Sequence, residues 1–194
     1  MVDIITKLCR IIADFFIKEK IIDKDQRDIY EYGIELCISS IIGIVIVLIV
    51  GFVSSKLIEC IVFYIVFCFM RLFCGGFHAK THLLCKISFT FILCLVLLFD
   101  WLLYEIPNYY WIVVCFYCFI IVCSLAPVDN PNKRLSEEEK KKNKIISIVE
   151  IFIWFALICL MYYFNINLYH IVVLTLFFVA TLMLLGKFTE RRDD

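Results

Sequence analysis

The chain has 194 residues, of which 63% are hydrophobic, and its 19 basic and 19 acidic residues leave no net charge. An apolar share this far above the half that is usual for soluble domains excludes an ordinary soluble fold. The balanced charge gives no sign of a nucleic-acid partner. What remains is an all-α integral membrane protein.

The first 22 residues are amphipathic. Ile4, Ile5, Leu8, Ile11, Ile12, Phe15 and Phe16 recur at three- and four-residue spacing, while Asp3, Lys7, Arg10, Asp14 and Lys18 take the opposite face. The pattern predicts a helix lying along the membrane surface, with a charged connector over Asp23 to Tyr32 completing an N-terminal segment 1–33. Charge runs through this segment and no small-residue cleavage site follows, so it is not expected to be a removable signal peptide.

Six apolar runs of about 17 to 25 residues follow, each long enough for a bilayer. They are Ile34–Val53, Leu57–Phe73, Leu83–Tyr104, Tyr109–Leu125, Ile145–Phe164 and Leu168–Gly186. Hydrocarbon cannot satisfy an open backbone, so each is expected to be a helix, and 34–186 is expected to form a six-span membrane domain. A polar break at 71–86 interrupts the second and third runs. A Pro-containing basic loop, APVDNPNKRLSEEEKKKNK, occupies 126–144, and a short tail covers 187–194.

Basic residues alternate between connections. Six precede the first span, three lie in the 71–86 break, six in the 126–144 loop and three in the tail, which accounts for all but Lys56. By the positive-inside rule both termini, the break and the basic loop are expected at the cytoplasmic face of the cell membrane.

The break reads CGGFHAKTHLLC over residues 74–85. Cys74, His78, His82 and Cys85 suggest four zinc ligands, but the glutamate of H-E-x-x-H is missing and Arg71, Lys80 and Lys86 would repel a cation. The other chemistry is a cysteine nucleophile with a histidine base. A thiolate is favoured by an imidazole, by nearby cations or by a helix N-terminus, and all three are at hand. Gly75 and Gly76 allow a tight break, and Thr81 suits an N-cap that would place Cys85 in the first turn of the third span. Seven residues of helix separate two Cα atoms by roughly 10 Å. His78 is therefore expected to precede the helix and fold back toward Cys85. Most other cysteines lie within spans as small buried hydrophobes.

Three carboxylates are candidates for further roles. Glu35, at the start of the first span, and Asp129 in the basic loop have the depth to orient His78. Glu150 lies inside the fifth span, where an ionisable group is costly. A small transporter also fits six spans, though the spans carry few facing polar groups, and a metal-binding membrane protein using Cys74, His78, His82 and Cys85 stays open beside the nucleophile.

Arg71, Gly75, Gly76, His78, Ala79, Thr81 and Cys85 form the pattern R-x-x-x-G-G-x-H-A-x-T-x-x-x-C, followed by Ala126, Pro127, Asn132 and Lys133 before a lysine run. This resembles the signature of the accessory gene regulator protein B (AgrB) family across essentially the whole chain. The resemblance implies a membrane cysteine endopeptidase of Gram-positive quorum sensing. Such an enzyme cleaves the C-terminal part of an autoinducer precursor through an acyl-enzyme thioester and promotes cyclisation. It implies Cys85 as nucleophile, His78 as general base and Arg71 as a supporting residue. Gly75, Gly76, Lys80, Lys86 and Glu35 become candidate supporting or substrate-binding residues. No cofactor or metal is implied; the expected partners are the precursor peptide, membrane lipid and a second copy in a homodimer.

Overall fold

The computed structural model describes residues 4–76, 82–128 and 136–193. Their named elements are seven α-helices and one 3-10 turn: α1 Ile4–Lys18, the turn Lys24–Gln26, α2 Arg27–Ser54, α3 Leu57–Cys74, α4 His82–Leu102, α5 Tyr109–Leu125, α6 Glu137–Tyr163 and α7 Tyr169–Asp193. Among the described residues the only β-type pairing is an isolated bridge between Gly75 and Val128. Five helices are long and apolar enough to cross a membrane, and α5, with 17 residues, stands at the short limit. This is the architecture of a multi-pass helical membrane protein.

The expected helices are all present, but two begin earlier than their apolar runs. The first span is the C-terminal part of α2, which starts at Arg27 and takes in the second half of the Asp23 to Tyr32 connector, leaving Asp23, Lys24 and Asp25 outside it. In α6 the helix takes in 137–144, the C-terminal part of the 126–144 segment that hydropathy alone marks as loop. The cause is a reciprocal cap. The Glu139 backbone N–H donates to Ser136 Oγ at 3.2 Å, and Glu139 Oε2 accepts from the Ser136 backbone N–H at 2.8 Å. Glu137, Glu138 and Glu139 place negative charge at the positive end of the helix dipole. Similarly, α7 continues past Gly186 through most of the expected tail.

α7 is the axis of the bundle. Ile171, Val172, Val173, Leu176, Val179, Ala180 and Met183 are almost wholly buried, and α7 packs against α3, α4, α5 and α6. The outer helices show the opposite pattern, with Ile41, Ile49, Phe52 and Val53 of α2 and Phe152, Ile153 and Leu160 of α6 exposed. A helix that is apolar all round and buried belongs in the interior, while one with an exposed apolar face belongs against lipid. Because lipid chains are as apolar as leucine, helix pairs in such a bundle depend on close approach and interhelical hydrogen bonds. Both occur between α2 and α3. A Cβ at Gly51 would lie 2.9 Å from Leu57 Cα, and the Tyr64 hydroxyl donates to the Ser40 carbonyl at 3.2 Å.

α1 lies along the N-terminal part of α2. Cys9 and Ala13 face α2 and are buried, whereas Leu8, Ile11 and Phe15 remain exposed, as an interfacial helix requires. Ion pairs hold the contact: Arg27 Nε to Asp14 Oδ1 at 2.8 Å and Arg10 Nε to Glu31 Oε1 at 3.0 Å. Burial first, then the carboxylates of Glu35 and Glu31, hold the Cys9 thiol above its ordinary value.

Candidate active site

α3 ends at Cys74 because the next two residues leave helical space. Gly75 has φ +68° and ψ −142°, and Gly76 has φ +122°, conformations that side-chain-bearing residues rarely adopt. A Cβ on Gly75 would overlap the Val128 carbonyl oxygen. That contact follows from a join between two distant segments: the Val128 N–H donates to the Cys74 carbonyl at 2.9 Å, and Gly75 pairs with Val128 as a parallel bridge. Ala126 and Val128 are buried, and the Ala126–Pro127 peptide is cis. The double glycine and the Ala-Pro pair, fifty residues apart in the sequence pattern, thus meet at one end of the bundle.

Arg71 sits one turn before the end of α3. Its Nη1 donates to the Gly75 carbonyl at 3.2 Å, and its guanidinium lies 5.9 Å from the Phe67 ring centroid. The last turn of a helix leaves carbonyls without intrahelical partners, and a cation there satisfies them and suits the dipole. Arg71 therefore ties the end of the helix to the glycine break. It also lies within electrostatic reach of both Cys74 and Cys85.

Cys85 is in the first turn of α4, the helix that begins at His82. It is half-buried and lines a cavity of about 180 Å³ between α2, α3 and α4. Arg71 and Lys86 supply the cationic part of the wall, Tyr64, Phe67 and Phe89 the aromatic part, and Ser39 and Ser40 of α2 the far side. Lys86 Nζ donates to the Ser39 carbonyl at 2.7 Å, which binds α4 to α2 across the cavity. A thiol here has the N-terminus of a helix, two cations and a partly apolar wall around it. A helix start and cations of this kind suit the negative charge that develops on an oxyanion.

Arg71, Lys86 and Cys85 are thus brought together around one cavity, and Gly75 and Gly76 shape the backbone next to it. Glu35 stands one turn before Ser39 on α2, within electrostatic reach of Cys9 of α1. His78, Lys80, Thr81 and Asp129 lie outside the described residues, as does the side chain of His82. Cys74 is fully buried and lies within electrostatic reach of Glu150 of α6; it does not line the cavity that holds Cys85. Among the described residues, no group of three or more His, Cys, Asp or Glu side chains is placed to hold a metal ion.

Glu150, singled out in the sequence for its depth, is 9% exposed, and among the described residues neither of its carboxylate oxygens has a hydrogen-bond partner. His170 is a polar residue that the sequence reading passed over. It is 4% exposed at the start of α7, at the other end of the bundle. The rule that ionisable groups inside spans mark function would have flagged it.

A polytopic helical membrane protein with a half-buried cysteine at a cationic cavity is the class these features define. The chain belongs to the Accessory gene regulator B family, whose model matches residues 9–184. Membership carries a role in the accessory gene regulator system. Among its relatives are "Putative AgrB-like protein 2" of Clostridium perfringens strain 13, 27% identical over 83% of this chain and 79% of that protein. "Putative AgrB-like protein" of Clostridium perfringens strain SM101 is 26% identical over 84% of this chain and 80% of its own length. No solved structure matches the chain.

Proposed function

We propose that the protein is a cysteine endopeptidase of the cell membrane that cleaves an autoinducer precursor peptide and closes the released fragment into a ring. The observation that carries this reading is the placement of Cys85 in the first turn of α4, on the wall of a cavity shared with Arg71 and Lys86. His78 is the general base. It takes the Cys85 proton as sulfur attacks the scissile carbonyl, and it returns that proton to the leaving amine of the C-terminal tail. The upstream peptide is left as a thioester on Cys85. A thiol or hydroxyl within the peptide then attacks the thioester carbonyl, forms the ring and restores Cys85.

Thioester exchange is close to energy neutral, so water must be kept from the acyl enzyme for the ring to form. A cavity walled by Tyr64, Phe67 and Phe89 supports that exclusion. Arg71 holds the glycine break and, with Lys86 and Lys80, favours the thiolate or an acidic precursor tail. Glu35 is a candidate to orient His78. The alternating basic connections support a cytoplasmic position for this end of the bundle and for both termini. The exposed apolar faces of α2 and α6 are available to a second copy in a homodimer.

The test is co-expression of the cognate precursor, tagged at its C-terminus, with the wild type and with Cys85→Ser, Cys85→Ala, His78→Ala, Cys74→Ala and His82→Ala. The first three are expected to abolish tail release at normal protein levels, and the last two to retain it. Loss of tail release in Cys74→Ala and His82→Ala together with the others would instead point to a metal site.

A further inference from the structure

At the end of the bundle opposite Cys85, a second cavity of about 330 Å³ lies between the α2–α3 turn, the end of α4 and the start of α7. Its size falls at the small end of ligand pockets, which run from about 300 to 1,000 Å³. Lys56, Glu59, Asp100, Asn167 and His170 give it a polar lining, which is unusual in a chain this apolar. Lys56 Nζ is bonded to Asp100 Oδ2 at 2.8 Å, so those two charges largely cancel. Glu59 is half-buried and has no partner among the described residues, which leaves one uncompensated carboxylate on the wall.

His170 is the telling residue. It is 4% exposed, lines the cavity and, among the described residues, has no hydrogen-bond partner on either ring nitrogen. The nearest carboxylate oxygen, Asp100 Oδ1, is 4.0 Å from Nδ1, beyond hydrogen-bond reach. Trp111 stacks on the imidazole at 4.8 Å between ring centroids and fixes its orientation. A neutral imidazole offers one donor and one acceptor, and leaving both unmade in a buried site is costly. The cavity therefore asks for a ligand that accepts from Lys56 and His170 and donates to Glu59.

The surrounding surface says where that ligand comes from. Trp101, Tyr104, Tyr109, Tyr110, Tyr162 and Tyr163 are all at least half exposed at this end. Amphipathic rings gather at the depth of lipid head groups. We propose that this cavity holds the head group of a phospholipid carrying both a phosphate and a primary ammonium, as in phosphatidylethanolamine. The phosphate accepts from Lys56 and His170, and the ammonium donates to Glu59. Three N–H donors on the ammonium distinguish it from a choline head group, which has none, and the carboxylates of Glu59 and Asp100 disfavour a purely anionic lipid.

The experiment is native mass spectrometry of the full-length protein from detergent micelles doped with phosphatidylethanolamine, phosphatidylcholine or phosphatidylglycerol, with free phosphoethanolamine as competitor. The wild type is expected to retain phosphatidylethanolamine best. Lys56→Gln should lower that retention roughly tenfold, as expected for the loss of one charge-assisted hydrogen bond. His170 is packed within the bundle, so the second variant is Glu59→Gln at a half-exposed position: it should lower retention of phosphatidylethanolamine and leave that of phosphatidylglycerol unchanged. Equal retention of the three lipids, wild-type retention by both variants, or displacement by free phosphoethanolamine at equal concentration would each overturn the assignment. Tail release at Cys85 is a separate readout, so the outcome is independent of the peptidase reading.

Discussion

Gly75 is held by three constraints at once: a positive φ, a carbonyl where a Cβ would go, and a bridge to Val128. Gly75→Ala should therefore destabilise the protein by at least about 1–3 kcal/mol, the cost of a side chain in such backbone space. Thermal unfolding in detergent would register this as a lower Tm, and tail release should fall with it. Gly33 is the control: it is helical, with nothing within 4 Å of an added Cβ, and Gly33→Ala should leave Tm unchanged or raise it. Arg71 is constrained by chemistry rather than space. Lysine supplies a point charge and cannot keep both the Gly75 carbonyl and the face of Phe67 as a planar guanidinium does. Arg71→Lys should lower the rate of tail release about tenfold, measured at matched protein levels. At this scale the sequence pattern marked Arg71, Gly75, Gly76 and Cys85. It could not reveal that Gly75 packs in a bridge against Val128, just after the Ala-Pro pair, because pairing across fifty residues has no local signature.

Helix boundaries were less legible than helix existence. Long apolar runs announce spans through the backbone's need for internal hydrogen bonds, but caps override hydropathy at the ends. The acidic and lysine-rich residues 137–144 read as loop by charge, yet the Ser136–Glu139 box makes them helix. Ser136→Ala should cost about 1 kcal/mol of local helix stability, seen as faster hydrogen exchange over 137–144 and little change deeper in α6. The docking of α1 on α2 responds to pH in a defined direction. The Arg27 guanidinium beside Asp14 holds its carboxyl below the usual carboxylate range. A depressed value means that the stabilisation is present above the unfolded value of about 3.9 and is lost as pH falls through the lower folded value. Hydrogen exchange over 4–18 should accelerate across that acidic window in the wild type. Asp14→Asn should weaken protection at neutral pH and flatten the pH dependence.

For the whole molecule, composition and span length were enough to read an all-helical membrane bundle. They were not enough to place α7 at its axis: α7 and α2 are both apolar, and only packing shows that one is enclosed and the other faces outward. The polar pocket around His170 was equally hidden, since Lys56, Asp100 and His170 lie on three different helix ends and meet only in the fold. The proposed orientation rests on charge. Alkaline phosphatase fused at either terminus should be inactive, and the same reporter inserted after Ser55 should be active. Activity at the C-terminus would reverse the assignment of the Cys85 cavity to the cytoplasmic face.

The most direct test of the central claim is peptide mapping by mass spectrometry of protein trapped during turnover with its precursor. An acyl group, equal in mass to the precursor fragment upstream of the cut, is expected on the peptide containing Cys85. That adduct should be released by hydroxylamine and be absent from Cys85→Ala. Precursor cleavage that continues in Cys85→Ala, without an adduct in the wild type, would contradict it.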